Sequence, residues 1–297
     1  MVQKINYKMC GDIMTKTATL LVSCPDKKGI IQAVTKFLLS HNANILHANQ
    51  HLDTENNLFL MRLEWDVADF SLCENEFHSN FEEVAKKYGM DWRLKSNQIK
   101  NRVAIMVSHY DHCLADLLHK HKNGDLDCEI SVVLSNHKNA EELVKFYGIP
   151  FHYIKVTKEN KGEAEQKQNE ILDRLDIDLI VLARYMQILS PEFIRRYPEK
   201  IINIHHSFLP AFIGAKPYHR AYERGVKLIG ATSHYVTEEL DGGPIIEQDI
   251  ARVSHRDQIS DLTRKGRDLE RVVLSRALRR HIENRILIYA NKTVVFK

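Results

Sequence analysis

The stretch that decides the fold is residues 201–246, which read IINIHHSFLPAFIGAKPYHRAYERGVKLIGATSHYVTEELDGGPII. Ile201 and Ile202 end a short apolar run that is typical of a buried strand end, and polar residues follow at once. In an open parallel sheet, ligands bind beyond the carboxyl ends of the strands. Asn203 and His205 are two positions apart, so an extended chain places both side chains on one side. An amide donor and an imidazole suit an oxygen that becomes negative during a reaction.

A carboxylate follows later in the same stretch, in the Gly-rich turn Leu240–Pro244, where Asp241 is the acidic residue. Residues 228–235 (LIGATSHY) between the two polar segments predict another strand, so the groups can converge. Taken singly, each has a plain structural reading. Asn and Asp beside Gly are ordinary turn formers, and a His near a strand end is often only a satisfied polar group. The combination of all three favours a catalytic site.

The same motifs carry a resemblance to a known family. Asn203-Ile204-His205, the following residues 207–210 (SFLP) and residues 240–243 (LDGG) resemble the motifs of the folate-dependent formyltransferases. His206, directly after the Asn-x-His motif, and residues 214–236 are similar to the deformylase form of that family. The fold expected from this resemblance is an α/β fold with a mostly parallel-sheet, Rossmann-like formyltransferase domain.

The resemblance implies site residues and a reaction. Asn203 and His205 would stabilise the oxyanion that forms when water adds to the formyl carbon of 10-formyltetrahydrofolate. Asp241 would hold His205 charged, orient the water and assist proton transfer to N10 of the folate, and His206 would add a polar contact. The folate would lie against two loops whose backbone binds the pterin, formed by Met186, Gln187, Ile188 and Leu189 and by Val236, Thr237, Glu238, Glu239 and Leu240.

One loop argues for water as the acceptor. Glycine-rich loops let backbone amides approach and bind a phosphate. Residues 108–113 (SHYDHC), which follow the first strand of the sheet, contain no Gly and include an acid, Asp111. The resemblance therefore fails where a phosphorylated acceptor would bind, unless phosphate binds elsewhere. The expected reaction is hydrolysis to tetrahydrofolate and formate, for purine biosynthesis or balance of one-carbon pools. The alternatives are a formyltransferase with an amine acceptor and a catalytically silent folate or amino-acid sensor.

The N-terminal part predicts a second domain. Its elements follow the order βαββαβ of the ferredoxin-like motif. The predicted strands are 17–24, 44–52, 58–67 and 90–94, and the predicted helices are 30–39 and 74–88. With Asp26, Gly29 and Asn44, it resembles an ACT domain, a module that senses small ligands; Asp26 is also expected to cap the first helix. A plain packing or oligomerisation domain is the alternative. The resemblance implies a small amino-acid effector, such as glycine or methionine, and a homo-oligomer.

The predicted domain limits are 1–95 for the ACT-like domain, 96–102 for a polar linker and 103–297 for the catalytic domain. In the last of these, strands alternate with helices, which predicts a mostly parallel sheet covered on both faces. The expected strands are 104–107, 130–134, 151–156, 179–183 and 228–235, the expected helices are 114–120, 140–147, 163–175 and 259–282, and a hairpin spans 285–296.

Composition limits the other functions. The net charge of +3 over 297 residues gives no electrostatic case for nucleic acid or a membrane surface. No metal and no permanently bound cofactor are expected, because no His or Cys residues have the spacing of a metal site. No run approaches the ~18 apolar residues of a membrane span, and residues 1–16 lack the apolar run of a signal peptide. A cytoplasmic enzyme with reduced thiols is expected, since the cysteines are odd in number and scattered: Cys10, Cys24, Cys73, Cys113 and Cys128.

Overall fold

The computed structural model describes residues 17–97, 99–210 and 217–297. Three parts of the sequence discussed above lie outside these segments: residues 1–16, residue 98 of the predicted linker, and part of the deformylase-like stretch at 214–236. The chain divides into two compact units, one ending at Ile99 and the other beginning at Lys100. None of the helices in the described segments combines the length and the apolar character needed to span a bilayer.

The first unit has the predicted βαββαβ order. Its antiparallel sheet has the strand order β2-β3-β1-β4, and both helices cover one face. The core is aromatic: the rings of Trp65 and Phe77 stack with centroids 5.8 Å apart, and Phe81 stacks on Phe77. The elements are β1 (Thr17–Pro25), α1 (Ile30–Ser40), β2 (Asn44–Asp53), β3 (Leu58–Asp66), α2 (Glu74–Tyr88) and β4 (Asp91–Ser96).

The start of α1 differs from the prediction that Asp26 caps it. The N-cap residue is Gly29, with φ 93°, and no side chain caps the helix. Asp26 instead donates its backbone N–H to the carbonyl of Asn57. The left-handed conformation at position 29 favours glycine, and a Cβ there would come within 3.1 Å of the Tyr88 hydroxyl. Gly29 therefore has a structural role that is independent of any ligand.

The second unit is built on one sheet with the strand order β11-β10-β9-β8-β5-β6-β7. The pairs among β5 to β9 are parallel, whereas β10 and β11 run antiparallel to their neighbours, which confirms the predicted mostly parallel sheet. The strands are β5 (Asn101–Val107), β6 (Cys128–Ser135), β7 (Phe151–Tyr153), β8 (Leu179–Leu182), β9 (Ile201–His205), β10 (Leu228–Tyr235) and β11 (Ile245–Arg252).

Both faces of this sheet are covered, so the central strands are apolar without interruption. On β5, Val103, Ile105 and Val107 pack into one core, and Ala104 and Met106 into the other. The helices are α3 (His112–Lys122), α4 (Glu141–Phe146), α5 (Lys161–Arg174), α6 (Pro191–Arg196), α7 (Pro217–Glu223) and α8 (Ile259–Ile282), and a hairpin follows with strands β12 (Ile286–Tyr289) and β13 (Lys292–Val295).

Several elements differ from the sequence-based expectation. Strand β5 begins at Asn101, within the segment expected to be a linker, and β7 ends at Tyr153 rather than at residue 156. Helix α3 begins at His112 rather than at Leu114. The prediction also omitted α6, α7 and β11, because short helices and an edge strand with polar residues on both sides give weak periodic signals.

Candidate active site

Strand β9 carries the first two candidate catalytic residues. It extends through Asn203 to His205, so both lie within the strand and not beyond its end as expected. In the antiparallel pairing with β10, Asn203 lies opposite His234, and His205 lies opposite Thr232. The strand therefore fixes the backbone of both residues where the parallel sheet becomes antiparallel.

Asp241, the third candidate, lies in the turn after β10. Its Oδ1 atom is 3.3 Å from Nδ1 of His205, and both side chains are largely buried. The hydrogen bond with His205 lowers the pKa of Asp241, and the charge of the His205 imidazole acts in the same direction against burial. The turn gives Asp241 a left-handed backbone, with φ 55°. The structure thus brings Asp241 next to His205, although 36 positions separate the two residues in sequence.

The two glycines after Asp241 explain how this turn forms. A Cβ at position 243 would lie 1.8 Å from the carbonyl oxygen of Tyr235, so only glycine allows this close approach. The β12–β13 hairpin then holds the turn from outside: Nδ2 of Asn291 donates to the carbonyl of Gly242 at 2.7 Å. The Thr293 hydroxyl likewise donates to the carbonyl of Ile245 at 2.5 Å. The position of Asp241 therefore depends on backbone contacts from the end of the second unit.

His234 belongs to the same cluster, although sequence reasoning did not single it out. Its Nδ1 lies 2.9 Å from the carbonyl oxygen of Tyr235, which can only accept, so Nδ1 carries the proton. Burial lowers the pKa of His234 and keeps the ring neutral. Its Nε2 is then an acceptor, 3.3 Å from Nδ2 of Asn203. This contact sets which way the Asn203 amide faces. A histidine near the end of a predicted buried strand was the available signal.

His205 and His206 present two imidazoles to one cavity. Among the described residues, Nε2 of His205 has no hydrogen-bond partner although it is buried. The two rings stack, with centroids 5.1 Å apart and an angle of 24° between their planes. Burial, followed by the charge of Arg184, lowers the pKa of His206 to about 4, so this ring is neutral near pH 7. The Nε2 atom of His205 is therefore available to a molecule that enters the cavity.

The cavity has a volume of about 600 Å³, within the usual range for small-molecule sites. The two predicted folate loops form one part of its wall. The side chains of Met186, Ile188 and Leu240 are more than half exposed there, which leaves apolar surface open to a ligand. Leu189 differs, since it is 6% exposed and packs in the core. All nine predicted positions line the cavity: Met186, Gln187, Ile188, Leu189, Val236, Thr237, Glu238, Glu239 and Leu240.

The glycine-free loop after β5 supports the first of these two loops. The Ser108 hydroxyl accepts the backbone N–H of Met186 at 2.8 Å and donates to Oδ1 of Asn136 at 2.7 Å. The backbone N–H of Ser108 also donates to the carbonyl of Arg184. This segment therefore fixes the 184–189 loop, which gives its sequence a role that does not involve a phosphate.

The comparisons with known proteins agree with this site. Residues 101–278 match the formyl transferase family, and residues 18–76 match the ACT domain. The chain is 54% identical over 278 residues to a formyltetrahydrofolate deformylase of Bacillus subtilis, covering 93% of each protein, and 52% identical over 280 residues to one of Synechocystis, covering 94% of this chain and 98% of the relative. The crystal structure of a formyltetrahydrofolate deformylase from Pseudomonas syringae has a TM-score of 0.93 and 48% identity, with 96% of each chain covered.

The chain belongs to the formyltetrahydrofolate deformylase family. This confirms the resemblance drawn from the Asn-x-His and Leu-Asp-Gly-Gly motifs, and the ACT match confirms the nature of the first unit.

A buried charged network forms the other part of the cavity wall in this deformylase family member. Glu270, which is 1% exposed, lies 2.7 Å from Nε2 of His112 and accepts a hydrogen bond from the Tyr218 hydroxyl at 2.7 Å. Burial raises the pKa of Glu270, but the bond from His112 and the charge of Arg184 outweigh it and lower that pKa overall. A Cβ at Gly266 would lie 2.0 Å from the Tyr218 oxygen, so this glycine admits the phenol against α8. Sequence reasoning missed this network.

The network includes a group with metal-ligand spacing. In the described part of the chain, the ligand atoms of His112, Cys113 and Glu270 lie within 4.8 Å of one another. Burial raises the pKa of the Cys113 thiol well above its usual value, which keeps it protonated. The cationic Nε of Arg184 also lies 3.4 Å from the Glu270 carboxylate. Both features disfavour a metal ion, and the group is better described as a hydrogen-bonded ion network.

The structure does not bring the predicted regulatory residues together within one chain. Asp26 and Gly29 follow β1 at its Pro25 end, whereas Asn44 begins β2. Pro25 and Asp53 both pair with Leu58 at one end of the sheet, and Thr17 and Asn44 both pair with Asp66 at the other. Asp26 and Gly29, which follow Pro25, therefore lie at the opposite end of the sheet from Asn44. The rise of ~3.3 Å per residue along a strand puts them about 25 Å apart.

Proposed function

We infer that this chain hydrolyses 10-formyltetrahydrofolate to tetrahydrofolate and formate. The observation that carries the proposal is the cluster of Asn203, His205 and Asp241 at one cavity, with Nε2 of His205 free of partners among the described residues. The open apolar surface of the two loops suits the flat pterin ring. The names of the relatives support the same reaction.

In the proposed mechanism, the formyl oxygen receives hydrogen bonds from the Asn203 amide and from Nε2 of His205. Water attacks the formyl carbon, and the electron pair of the C=O bond moves onto this oxygen. The two donors stabilise the negative charge, an effect of the oxyanion-hole type. For Nε2 to donate while Nδ1 faces Asp241, the ring carries both protons, and the carboxylate balances its charge.

Asp241 has two further tasks in this proposal. Its low pKa keeps it ionised near neutral pH, and its carboxylate accepts a proton from the attacking water. That proton passes to N10 of the folate as the C–N10 bond breaks, which gives tetrahydrofolate. The released formic acid loses its remaining acidic proton to solvent and leaves as formate. The position of Asp241 at the cavity, next to His205, supports these roles.

The test of this function is turnover without an acceptor. Purified full-length protein, given 10-formyltetrahydrofolate alone, is expected to release formate and tetrahydrofolate in equal amounts. Added glycinamide ribonucleotide is expected neither to increase turnover nor to become formylated. If turnover without an acceptor is negligible and an amine restores it, a formyltransferase replaces the hydrolase.

For the first unit, we propose binding of a small amino acid that changes the hydrolysis rate. The ACT match supports an effector of this kind. Since Asp26 and Asn44 lie at opposite ends of one sheet, a site that uses both requires a second copy of the chain. Calorimetry with glycine and methionine, combined with light scattering, tests both parts. Absence of binding would contradict the effector, and a monomer that binds it would contradict the shared site.

We also propose that the reaction takes place in the cytoplasm and supplies formate for purine biosynthesis or balances one-carbon pools. The supporting observation for the compartment is that the described cysteines Cys24, Cys73, Cys113 and Cys128 are all free thiols.

A further inference from the structure

Arg184 has an unusual position at the carboxyl edge of the sheet. It follows β8 closely and has a left-handed backbone, with φ 62°. Such a conformation is strained for residues other than glycine, and strained residues are concentrated at functional sites. Its side chain lines the cavity and is only 10% exposed. A long charged side chain is thus held where the backbone favours glycine and where water is largely excluded.

Two of the three guanidinium nitrogens of Arg184 make no hydrogen bond with the described residues around them. Its Nε lies 3.4 Å from Oε2 of Glu270, a distance that gives charge attraction without a well-aligned hydrogen bond. Glu270 already receives short contacts from His112 and Tyr218. Across the described segments, neither Nε nor Nη1 of Arg184 has a hydrogen-bond partner. Buried guanidinium donors without partners are costly, so they are expected to bind a ligand.

The surroundings fix the guanidinium plane. Its Cζ lies 5.4 Å from the centre of the Tyr110 ring, which provides a cation–π contact. On the catalytic side, Arg184 acts on His206, whose ring stacks on that of His205. The free donors therefore belong to a rigid group next to the reacting centre rather than to a mobile surface side chain.

We propose that Arg184 forms a subsite for formate, the carboxylate product, and holds it by a forked pair of hydrogen bonds after the C–N10 bond has broken and the released acid has lost its proton. This inference rests on the proposed hydrolysis. A guanidinium fork matches the two oxygens of a planar carboxylate. Of the two proposed products, formate is the small carboxylate anion, which forms when the released acid loses its proton. The subsite lies outside the Asn203, His205 and Asp241 cluster.

The cavity contains a matched control for this subsite. Arg267 also lines the cavity, and its Cζ also lies 5.4 Å from the Tyr110 ring centre, but its side chain is exposed. The two arginines thus share residue type, cavity and aromatic neighbour and differ in burial. If burial creates the subsite, only Arg184 will determine formate affinity.

The experiment measures formate binding without turnover. Full-length protein is titrated with ¹³C-labelled sodium formate in the absence of folate, and binding is followed by NMR. Saturable binding is expected for the wild type. Arg184→Gly removes the guanidinium at no backbone cost, and Arg184→Lys keeps the charge but loses the fork; both are expected to weaken binding by about 10- to 100-fold. Arg267→Lys is expected to change it by less than about threefold.

Folding of the variants is checked by thermal unfolding. Should Arg184→Gly fail to fold because Glu270 loses its cation, the double variant Arg184→Gly with Glu270→Gln removes both charges and is expected to show the same loss of formate binding. The subsite would be overturned if a folded variant that lacks Arg184 binds formate as tightly as the wild type. It would also be overturned if the Arg184 and Arg267 variants lose formate affinity equally.

A second titration tests the competing ligand, the carboxylates of the folate tail. Formate is expected to bind equally well when tetrahydrofolate saturates the protein. Loss of formate binding with tetrahydrofolate but not with tetrahydropteroate, which lacks the glutamate, would assign Arg184 to the folate instead.

The two proposals fail in different ways. If the protein hydrolyses 10-formyltetrahydrofolate but does not bind formate, the proposed function stands and the subsite is wrong. If it binds formate but does not hydrolyse the folate, the subsite stands and the proposed function is wrong.

Discussion

The two sides of the cavity are built in opposite ways. The side formed by the loops at 186–189 and 236–240 exposes Met186, Ile188 and Leu240, apolar side chains that a folded protein normally covers. The other side buries the charges of Arg184 and Glu270 and connects the carboxylate to His112 and Tyr218. The difference indicates that the apolar side is covered only when its ligand binds, whereas the ion pair of the charged side forms on folding without a ligand. Substitutions on the charged side should therefore reduce stability, and those on the apolar side should reduce affinity.

The largest expected effect is on stability, from Glu270→Gln. The substitution keeps the shape of the side chain but leaves the buried Arg184 cation without its counter-charge. Breaking a buried ion pair in this way typically costs about 3–5 kcal/mol in the free energy of unfolding. Urea denaturation of the full-length protein measures the loss of unfolding free energy. The matched control is Glu129→Gln, at an exposed carboxylate, for which a change below about 1 kcal/mol is expected. Equal stability of the two variants would contradict the comparison.

The proposed catalytic residues Asn203, His205 and Asp241 line the same cavity, and their substitution should affect rate rather than stability or affinity. Asn203→Ala and His205→Ala are each expected to lower kcat by ~100- to 1000-fold, the usual effect of removing one oxyanion donor. Asp241→Asn should be at least as damaging, because it removes the charge and the proton acceptor together. KM should change much less.

Steady-state kinetics of formate release checks these rates, and His255→Ala, at an exposed histidine away from the cavity, is the control. A variant at any of the three positions that keeps near wild-type turnover would remove that residue from the mechanism.

A pH effect of intermediate size is expected from His206. Its pKa is about 4 in the folded protein and near 6.5 when unfolded. Between these values the unfolded chain binds the proton and the folded one does not, so stability falls as pH is lowered through this range. Between pH 7 and pH 5, the wild type should lose about 2 kcal/mol more unfolding free energy than His206→Gln. Identical losses would show that burial does not suppress protonation of this ring.

The smallest expected effect comes from the apolar side. Met186→Ser and Ile188→Ser each remove apolar surface that the pterin would cover, which should raise KM by roughly 10-fold with kcat almost unchanged. Stability should not fall, because both side chains are more than half exposed in the free protein. Leu189→Ser serves as the contrast: Leu189 is buried in the core, so its loss should lower stability as well. A fall in kcat without a change in KM would contradict a binding role.

Much of this fold could be predicted because its periodic signals are strong. The βαββαβ order of the first unit, the apolar run of β8 and the long apolar stripe of α8 were each visible in the sequence. The prediction missed α6, α7 and β11, since these short elements have few buried positions on which a period could be based. The Asp26 cap was wrong because Gly29 begins α1 with a backbone conformation that the sequence alone does not specify.

The candidate site was predictable only in part. Asn203, His205 and Asp241 were identified because their residue types suggest chemistry even in an unknown fold. His234 was overlooked because its role depends on a cross-strand pairing with Asn203. Glu270 was overlooked because it is one charged residue on a helix rich in charges, and only the packing of α8 shows that it is buried. Long-range packing, rather than local sequence, decides both cases.

The hairpin that holds the Asp241 turn has a consequence for the order of synthesis. Asn291 and Thr293 contact backbone carbonyls that precede them by 49 and 48 positions. Chains are made from the amino terminus, and their domains generally fold in that order. The sheet and its Asn-x-His strand therefore leave the ribosome before the segment that braces the aspartate. A nascent chain can hold a nearly complete cavity without a working carboxylate, so we expect activity to appear only after residues 286–295 emerge and pair.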